Sequence, residues 1–370
     1  MTESMRSTYI KVDLNKLRHN FHTFKKTMGE EVKICAVVKA DAYGHGAVEV
    51  SKVLMQLGVD ALAVAIVDEA TELRENGIDS PILVLSPMEE RAFQKAVEYD
   101  LTVSIHHLID LDRAKAVATL EKPLRLHLSI DTGMNRDSFY SIGDIQTALN
   151  IIAGDKRLKL TGAYTHFADA DGESPDYSLK QLERFKKVRR ILPSGILIHA
   201  GASAGALRFP EARFNMVRPG IALHGYPQVK TEGDYQPILS FHSIVSAVRR
   251  IGKGESVSYG CTYHASKETV VATIAAGYGD GVFRSLSGKG FVLLSGLRCP
   301  IIGRVCMDQL MVDASLAPQV AVGDEAILIG SQGQETLDAE EVGRLAGTVG
   351  YEVLTHRSNR VPRIYVGGTP

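Results

Sequence analysis

The sequence predicts an α/β protein, a (β/α)8 TIM barrel over residues 1–236 followed by a mostly β C-terminal domain over residues 237–370. Three observations carry that prediction. As far as about residue 225, short and almost wholly apolar runs alternate with longer amphipathic stretches, the pattern of parallel strands buried on both faces. Eight such units fall within about 200 residues, which fits a closed barrel better than an open sheet, although counting alone leaves a doubly wound sheet open. After Pro237 the long helical patterns give way to β-prone runs joined by glycine-containing turns.

The eight expected barrel strands are Lys33–Val38, Ala61–Ile66, Pro81–Leu85, Leu101–Ile105, Leu124–Ile130, Leu160–His166, Gly195–His199 and Asn215–Arg218. Helical spacing marks Leu14–Thr27, Ala47–Leu57, Asp68–Asn76, Met88–Tyr99 and Tyr177–Leu192. In the second half, strands are expected at Ile238–Val248, Thr269–Ala275, Gly290–Leu294, Cys299–Val305 and Glu325–Ile329, with a helix at Asp338–Thr348. The β-prone Thr8–Val12, within the first dozen residues, is a candidate to pair with that second domain.

Composition narrows the function classes. Lys plus Arg is 42 and Asp plus Glu 43, a formal charge of -1 that gives no general attraction to nucleic acid or anionic membrane. No apolar run reaches the roughly 18 residues a membrane helix needs, and the N-terminus lacks the apolar segment of a signal peptide. Cys35, Cys261, Cys299 and Cys306 are scattered, with neither a C-x-x-C pair nor zinc-type spacing, which points to free thiols and a cytoplasmic location. No metal site is expected, His106-His107 included.

In a barrel, active sites gather where strands end and the following loops begin. The first strand ends at Lys39, followed by Ala40-Asp41-Ala42-Tyr43-Gly44-His45-Gly46; the fifth runs into Asp131-Thr132-Gly133-Met134-Asn135-Arg136. The sixth ends at His166, the seventh runs into Gly201-Ala202-Ser203-Ala204-Gly205, and the eighth supplies Arg218-Pro219-Gly220. A desolvated lysine there has a lowered pKa and becomes a nucleophile or base. Small residues around Ser203 and Gly220 let backbone N–H groups approach an anion such as a phosphate. A reactive amine beside a phosphate cradle suits an aldehyde cofactor such as pyridoxal phosphate. Each residue alone has a blander reading: Lys39 as a solvated charge, His166 as a structural histidine, Arg136 paired with Asp131 or Asp137. Their joint placement at the ends of different strands favours a site.

Ala36-Val37-Val38-Lys39-Ala40-Asp41-Ala42-Tyr43-Gly44-His45-Gly46 closely resembles the signature of the alanine racemase family. The likeness continues through Asp131–Met134, Thr165–Phe167, Arg218–Ile221, Ser258–Tyr263, Gly303–Asp308 and Arg360–Arg363, covering essentially the whole chain. It implies an isomerase that interconverts L- and D-alanine with pyridoxal 5'-phosphate, as a homodimer with shared sites that supplies D-alanine for the cell wall. Lys39 would carry the cofactor and act as base on one face of the substrate, with Tyr263 of the partner subunit as base on the other. Tyr43, Ser203, Gly220 and Ile221 would hold the phosphate. Arg218 would face the pyridine nitrogen, supported by His166, while Leu85 packs near the ring. Arg136 would contact the cofactor's phenolic oxygen and, with Met307 of the partner subunit, the substrate carboxylate.

Several positions depart from the family pattern. Ser129 stands where many members have a lysine that is carbamylated and braces the arginine equivalent to Arg136, so an anion or another side chain must serve instead. Asn135 replaces a common glycine, Ala202 an asparagine, His224 a tyrosine, and Asn359 a tyrosine found in some members. These differences bear on substrate choice and leave serine, or a broader range of amino acids, as an alternative to alanine. Other readings fit less well. A non-catalytic pyridoxal-phosphate carrier would not need residues 237–370, and related decarboxylases match poorly around Lys39 and Tyr263. Gly201–Gly205 also matches the G-x-S-x-G nucleophile elbow of serine hydrolases, with Asp280 and His356 as conceivable partners.

Overall fold

In the computed structural model, which describes residues 6–367, the chain forms two compact units. One comprises Leu17–Ala42 and Gly46–Gln236; the other takes the chain up to Lys16, Tyr43–His45 and everything from Pro237. Residues 1–5, part of the segment expected to join the β domain, lie outside the described residues.

The second unit begins with β1 (Tyr9–Asp13). The first unit is a closed barrel of eight parallel strands: β2 (Lys33–Val37), β3 (Ala61–Val64), β4 (Ile82–Val84), β5 (Thr102–Ile105), β6 (Leu124–Ser129), β7 (Leu158–Tyr164), β8 (Leu197–Ala202) and β9 (Met216–Arg218). β9 returns to β2 with Lys33 opposite Met216 and Ile34 opposite Val217, and this closure leaves no free edge. The strands are apolar throughout because helices cover the barrel outside while side chains fill its interior. Ile34, Leu62, Val84, Val103, Leu126 and Ala163 are all essentially inaccessible. Fully burying a side chain such as Leu or Ile contributes about 1.5–3 kcal/mol.

Two further covering helices carry only weak helical spacing, the first starting directly after the His106-His107 pair. Leu108–Val117 mixes charged and apolar residues without one dominant face, and Ile142–Ala153 carries a glycine in its first turn. Tertiary context settles both: each follows a strand and closes a β/α unit, and Ser141 caps the second by accepting from the Asp144 N–H.

The second unit is built on β10 (Leu239–Ile251), followed by the short pair β11 (Ser256–Val257) and β12 (Tyr263–His264). β13 (Thr269–Ile274), β14 (Phe291–Leu294), β15 (Leu297–Ile302), β16 (Leu310–Asp313), β17 (Glu325–Gln332), β18 (Glu335–Leu337) and β19 (Arg363–Val366) complete it. Nine strands form one sheet in the order β18-β17-β14-β15-β16-β13-β10-β1-β19. β1 pairs antiparallel with β10, Ile10 facing Phe241, and parallel with β19. Among the described residues no helix is long and apolar enough to cross a membrane. All four cysteines are free thiols; Cys35 and Cys299 are buried.

Candidate active site

Lys39 does not end its strand in a loop of ordinary shape. It opens a short helical turn, Lys39–Gly44, in which Ala40, Asp41, Ala42 and Tyr43 have φ between +50° and +55° and Gly44 has φ +81°. This is a left-handed turn made largely of residues with a Cβ, at a cost of roughly 1–2 kcal/mol for each such residue. Several hydrogen bonds hold it. Ala42 N donates to Val38 O at 2.8 Å, and Gly46 N to Asp41 O at 2.9 Å. Ala47 N donates to Asp41 Oδ1 at 2.7 Å. Glu69 accepts from Ala40 N at 2.7 Å through one carboxylate oxygen and from Ala65 N at 2.7 Å through the other. Strain concentrated beside a lysine at a barrel mouth is the kind of cost that persists at functional sites.

Burial lowers the pKa of Lys39, Arg136 and then Arg218 add to the effect, and Glu69 opposes it. An ammonium facing two guanidiniums is disfavoured, so the neutral amine exists at lower pH than for an ordinary lysine. Replacing Arg136 by leucine is expected to move the midpoint of Lys39 titration to higher pH. The check is the pH dependence of Lys39 labelling by trinitrobenzenesulfonate in protein without cofactor, and an unchanged midpoint would contradict it.

Arg218, at the end of β9, is only 3% exposed, and no carboxylate lies within ion-pair distance among the described residues. Its guanidinium is satisfied by neutral acceptors: Nη1 donates to His199 Nδ1 at 2.8 Å, and Nη2 to Thr165 O at 2.8 Å and Ala200 O at 3.2 Å. His166 Nδ1 lies 3.4 Å from Nη2. Burial, then the charges of Arg218, Arg136 and Lys39, push the His166 pKa down to about 3. Arg218 Nε–H and the second Nη1 hydrogen have no acceptor among the described residues, so a buried cation keeps donors for a neutral acceptor.

The expected anion cradle has its own hydrogen accounting. Ser203 Oγ accepts from Gly220 N and Ala222 N, both at 3.1 Å. Having accepted twice, the hydroxyl retains its hydrogen to donate, and no acceptor for it occurs among the described residues. The Ile221 N–H is also without an acceptor there. Gly201 is required because a Cβ would lie 2.8 Å from Ala206 N as the chain turns into the helix Ser203–Arg208. No imidazole is hydrogen-bonded to Ser203 among the described residues. Asp280 is committed to Arg6 and Arg360 and lies in the other unit, so the nucleophile-elbow reading has no triad.

Arg136 is exposed (59% of its side chain), with Nε 3.8 Å from Asp137 Oδ2. Asp137 is held in turn: Ser138 Oγ donates to its Oδ1 at 3.0 Å, Ser129 Oγ lies 2.6 Å from Ser138 Oγ, and His106 Nδ1 is 3.4 Å from Oδ1. The side chain that stands against Arg136 is therefore a carboxylate. Asn135 adopts φ +54°, a conformation asparagine tolerates better than most residues, which explains how it replaces a glycine. Leu85, partly buried, donates its N–H to Val64 O at 2.9 Å.

The barrel unit contains Lys39, Leu85, Arg136, His166, Ser203, Arg218, Gly220 and Ile221, with Lys39, Arg136, His166 and Arg218 coupled electrostatically and Ser203 bonded to Gly220. It does not contain Tyr43, Tyr263 or Met307, which belong to the other unit. Tyr43 is buried with its ring centroid 6.2 Å from that of Tyr351, and burial with Tyr351 nearby raises its pKa. Tyr263, on β12, packs against a core of Val257, Val271 and Ile302. The loop before it is strained, with φ +69° at Ser258 and +48° at Cys261. Met307 is 52% exposed. Sequence reasoning passed over Glu69, His199 and Tyr351. Glu69 carried a signal, an acidic residue in the first turn of the helix Val67–Glu75, whereas the other two emerge only from contacts.

The chain is similar throughout its length to known proteins. A family described as "Alanine racemase, N-terminal domain" matches residues 12–228, and "Alanine racemase, C-terminal domain" matches residues 238–365. An alanine racemase of Carboxydothermus hydrogenoformans is 44% identical, with 98% of this chain and 100% of the relative covered. Alanine racemase 1 of Bacillus subtilis is 40% identical, with 98% and 93% covered. The crystal structure of alanine racemase from E. faecalis superposes with a TM-score of 0.92 at 36% identity, covering 97% of this chain and 98% of that one. The alanine racemase structure from Bacillus anthracis with bound L-Ala-P gives 0.92 at 36% identity, covering 99% and 96%.

Proposed function

This chain belongs to the alanine racemase family, and we propose that it interconverts L- and D-alanine using pyridoxal 5'-phosphate carried on Lys39. The observation that carries the proposal is the barrel mouth itself, where a desolvated amine has its pKa lowered further by two guanidiniums, one of them a buried cation with an unused N–H. The residues fit the cofactor. Arg218 Nε–H suits the pyridine nitrogen, a neutral acceptor; the Ser203 hydroxyl and the Ile221 N–H suit the phosphate, to which the family resemblance adds Gly220 and Tyr43. When bound, pyridoxal phosphate supplies an aldehyde that captures the amino group and a ring that withdraws the electrons left by the departing α-proton.

The side chains of this protein do the rest. Lys39 Nζ, its pKa lowered by burial and by its cationic neighbours, takes the α-proton from one face or returns it there. Tyr263 of the partner subunit does the same from the other face, because inverting a centre requires a proton donor on each side. Arg136 binds the substrate carboxylate and the cofactor's phenolic oxygen, with Met307 of the partner subunit beside it. Arg218, donor-only and supported by His166, disfavours a proton on the pyridine nitrogen, which weakens electron withdrawal and limits transamination. Leu85 packs near the ring. A homodimer, a cytoplasmic location and D-alanine supply to the cell wall follow from the family resemblance.

Asp137 takes the place of the family's carbamylated lysine as the brace for Arg136. Asp137→Ala is expected to raise KM for alanine about two- to fivefold, the scale of a partly exposed ion pair, with kcat changed less. Steady-state kinetics with and without added bicarbonate check this; an unchanged KM, or dependence of the unsubstituted enzyme on bicarbonate, would contradict it. The function itself is tested by a chiral assay over the standard amino acids. Alanine is expected to turn over fastest, and a faster reaction with serine would replace it as the substrate.

A further inference from the structure

We propose that His199 and His127 are positioning residues that fix the orientation of Arg218 through a chain of locked imidazole tautomers running down the barrel interior. The proposal rests on the reading of Arg218 as the cation facing the pyridine nitrogen. Arg218 Nη1 lies 2.8 Å from His199 Nδ1, and His199 Nε2 lies 2.9 Å from His127 Nδ1. His127 is on β6 and His199 on β8, two strands that do not neighbour one another, so the contact crosses the barrel lumen.

Hydrogen counting determines the rest. A guanidinium has only donors, so His199 must offer Nδ1 as a lone pair and carry its proton on Nε2. That proton has His127 Nδ1 as its acceptor, which places the His127 proton on Nε2 as well. One cation therefore sets two tautomers. The constraint is mutual: with Nη1 bound to His199 and Nη2 to two carbonyls, the guanidinium plane has one satisfied orientation, which leaves Nε–H and one Nη1 hydrogen as the remaining donors. Both imidazoles remain neutral. Burial and then Arg218 push the His127 pKa down to about 3, and burial, Arg218 and His127 hold His199 well below the usual histidine range.

Packing keeps the rings in place. Tyr164 stacks on His199 with centroids 4.9 Å apart and planes 19° from parallel, and Arg218 Cζ sits 5.0 Å from the Tyr164 centroid. Gly162 makes room for His127, since a Cβ there would lie 2.5 Å from its Cε1. His127 also lines a cavity of about 380 Å³ at the N-terminal end of the barrel, with Arg125, Thr102, Thr161, Asp79 and Asp100 among its walls. The polar walls give the last N–H of the chain a polar environment, so no donor is sealed into apolar core.

Ring-nitrogen NMR of protein labelled with 15N-histidine, with and without pyridoxal phosphate, tests the tautomers directly. Both histidines are expected as neutral Nε2–H forms at pH 7 in both states. A proton on His199 Nδ1, or an imidazolium at either position, overturns the proposal whatever the enzyme's activity. The positioning role is read from pyruvate formed per racemisation event. His199→Leu is expected to raise that ratio about tenfold, the effect of losing one charge-assisted hydrogen bond, with KM for alanine nearly unchanged. His199→Gln, which keeps an acceptor for Arg218, is expected to recover most of it. A folded leucine variant with an unchanged ratio overturns the role, and if that variant does not fold, the glutamine variant and the spectra decide.

Discussion

Lys39→Ala is expected to remove the visible absorbance that pyridoxal phosphate acquires on binding and to lower racemase activity by at least about 10³-fold. Two functions sit on one nitrogen, attachment of the cofactor and proton transfer on one face, so no neighbour can compensate. Arg136 and Arg218 are permanently charged and cannot act as bases at neutral pH. The substitution should leave the fold intact. Lys39 follows a buried strand but its side chain is only partly buried, and the turn behind it is held by Glu69 and Asp41 rather than by its amine. Retention of the absorbance by a folded Lys39→Ala protein would remove the basis of the proposed function.

Mixing Lys39→Ala with Tyr263→Phe subunits is expected to restore activity that neither variant has alone. If each site takes its lysine from one subunit and its tyrosine from the other, every heterodimer contains one intact site and one with both residues lost. Random reassociation of equal amounts then yields about a quarter of the unsubstituted activity, since half the dimers are mixed and each has one working site. The features that motivate the experiment are the placement of Tyr263 outside the barrel unit, on β12 after a strained loop, and the exposure of Met307. Verified subunit exchange without recovery would show that each chain completes its own site.

Much of the barrel was legible because its strands are continuous apolar runs. Lys33–Val37 and Leu124–Ser129 lie within a residue of where the pattern ends them. β16, β18 and β19 were not marked by pattern, being short strands whose partners lie far along the chain. The site residues of the barrel could be found because strand ends are where such residues gather, and Lys39, Arg136, His166, Ser203 and Arg218 occupy five of those ends. The left-handed turn at Ala40–Tyr43 left no composition signal, since alanine, aspartate and tyrosine ordinarily favour negative φ.

The sequence by itself determined the barrel, the β domain and the family, because hydrophobic periodicity and a dense local motif are both encoded in neighbouring residues. Only the tertiary structure decided what stands against Arg136, which donors remain unused, and which histidines bear on Arg218. Asp137, Ser129 and His106 meet there from different segments, and His127 reaches His199 across the barrel although 72 residues separate them. Such contacts depend on barrel closure and on the direction each side chain takes, and neither is written in the spacing of residues along the chain.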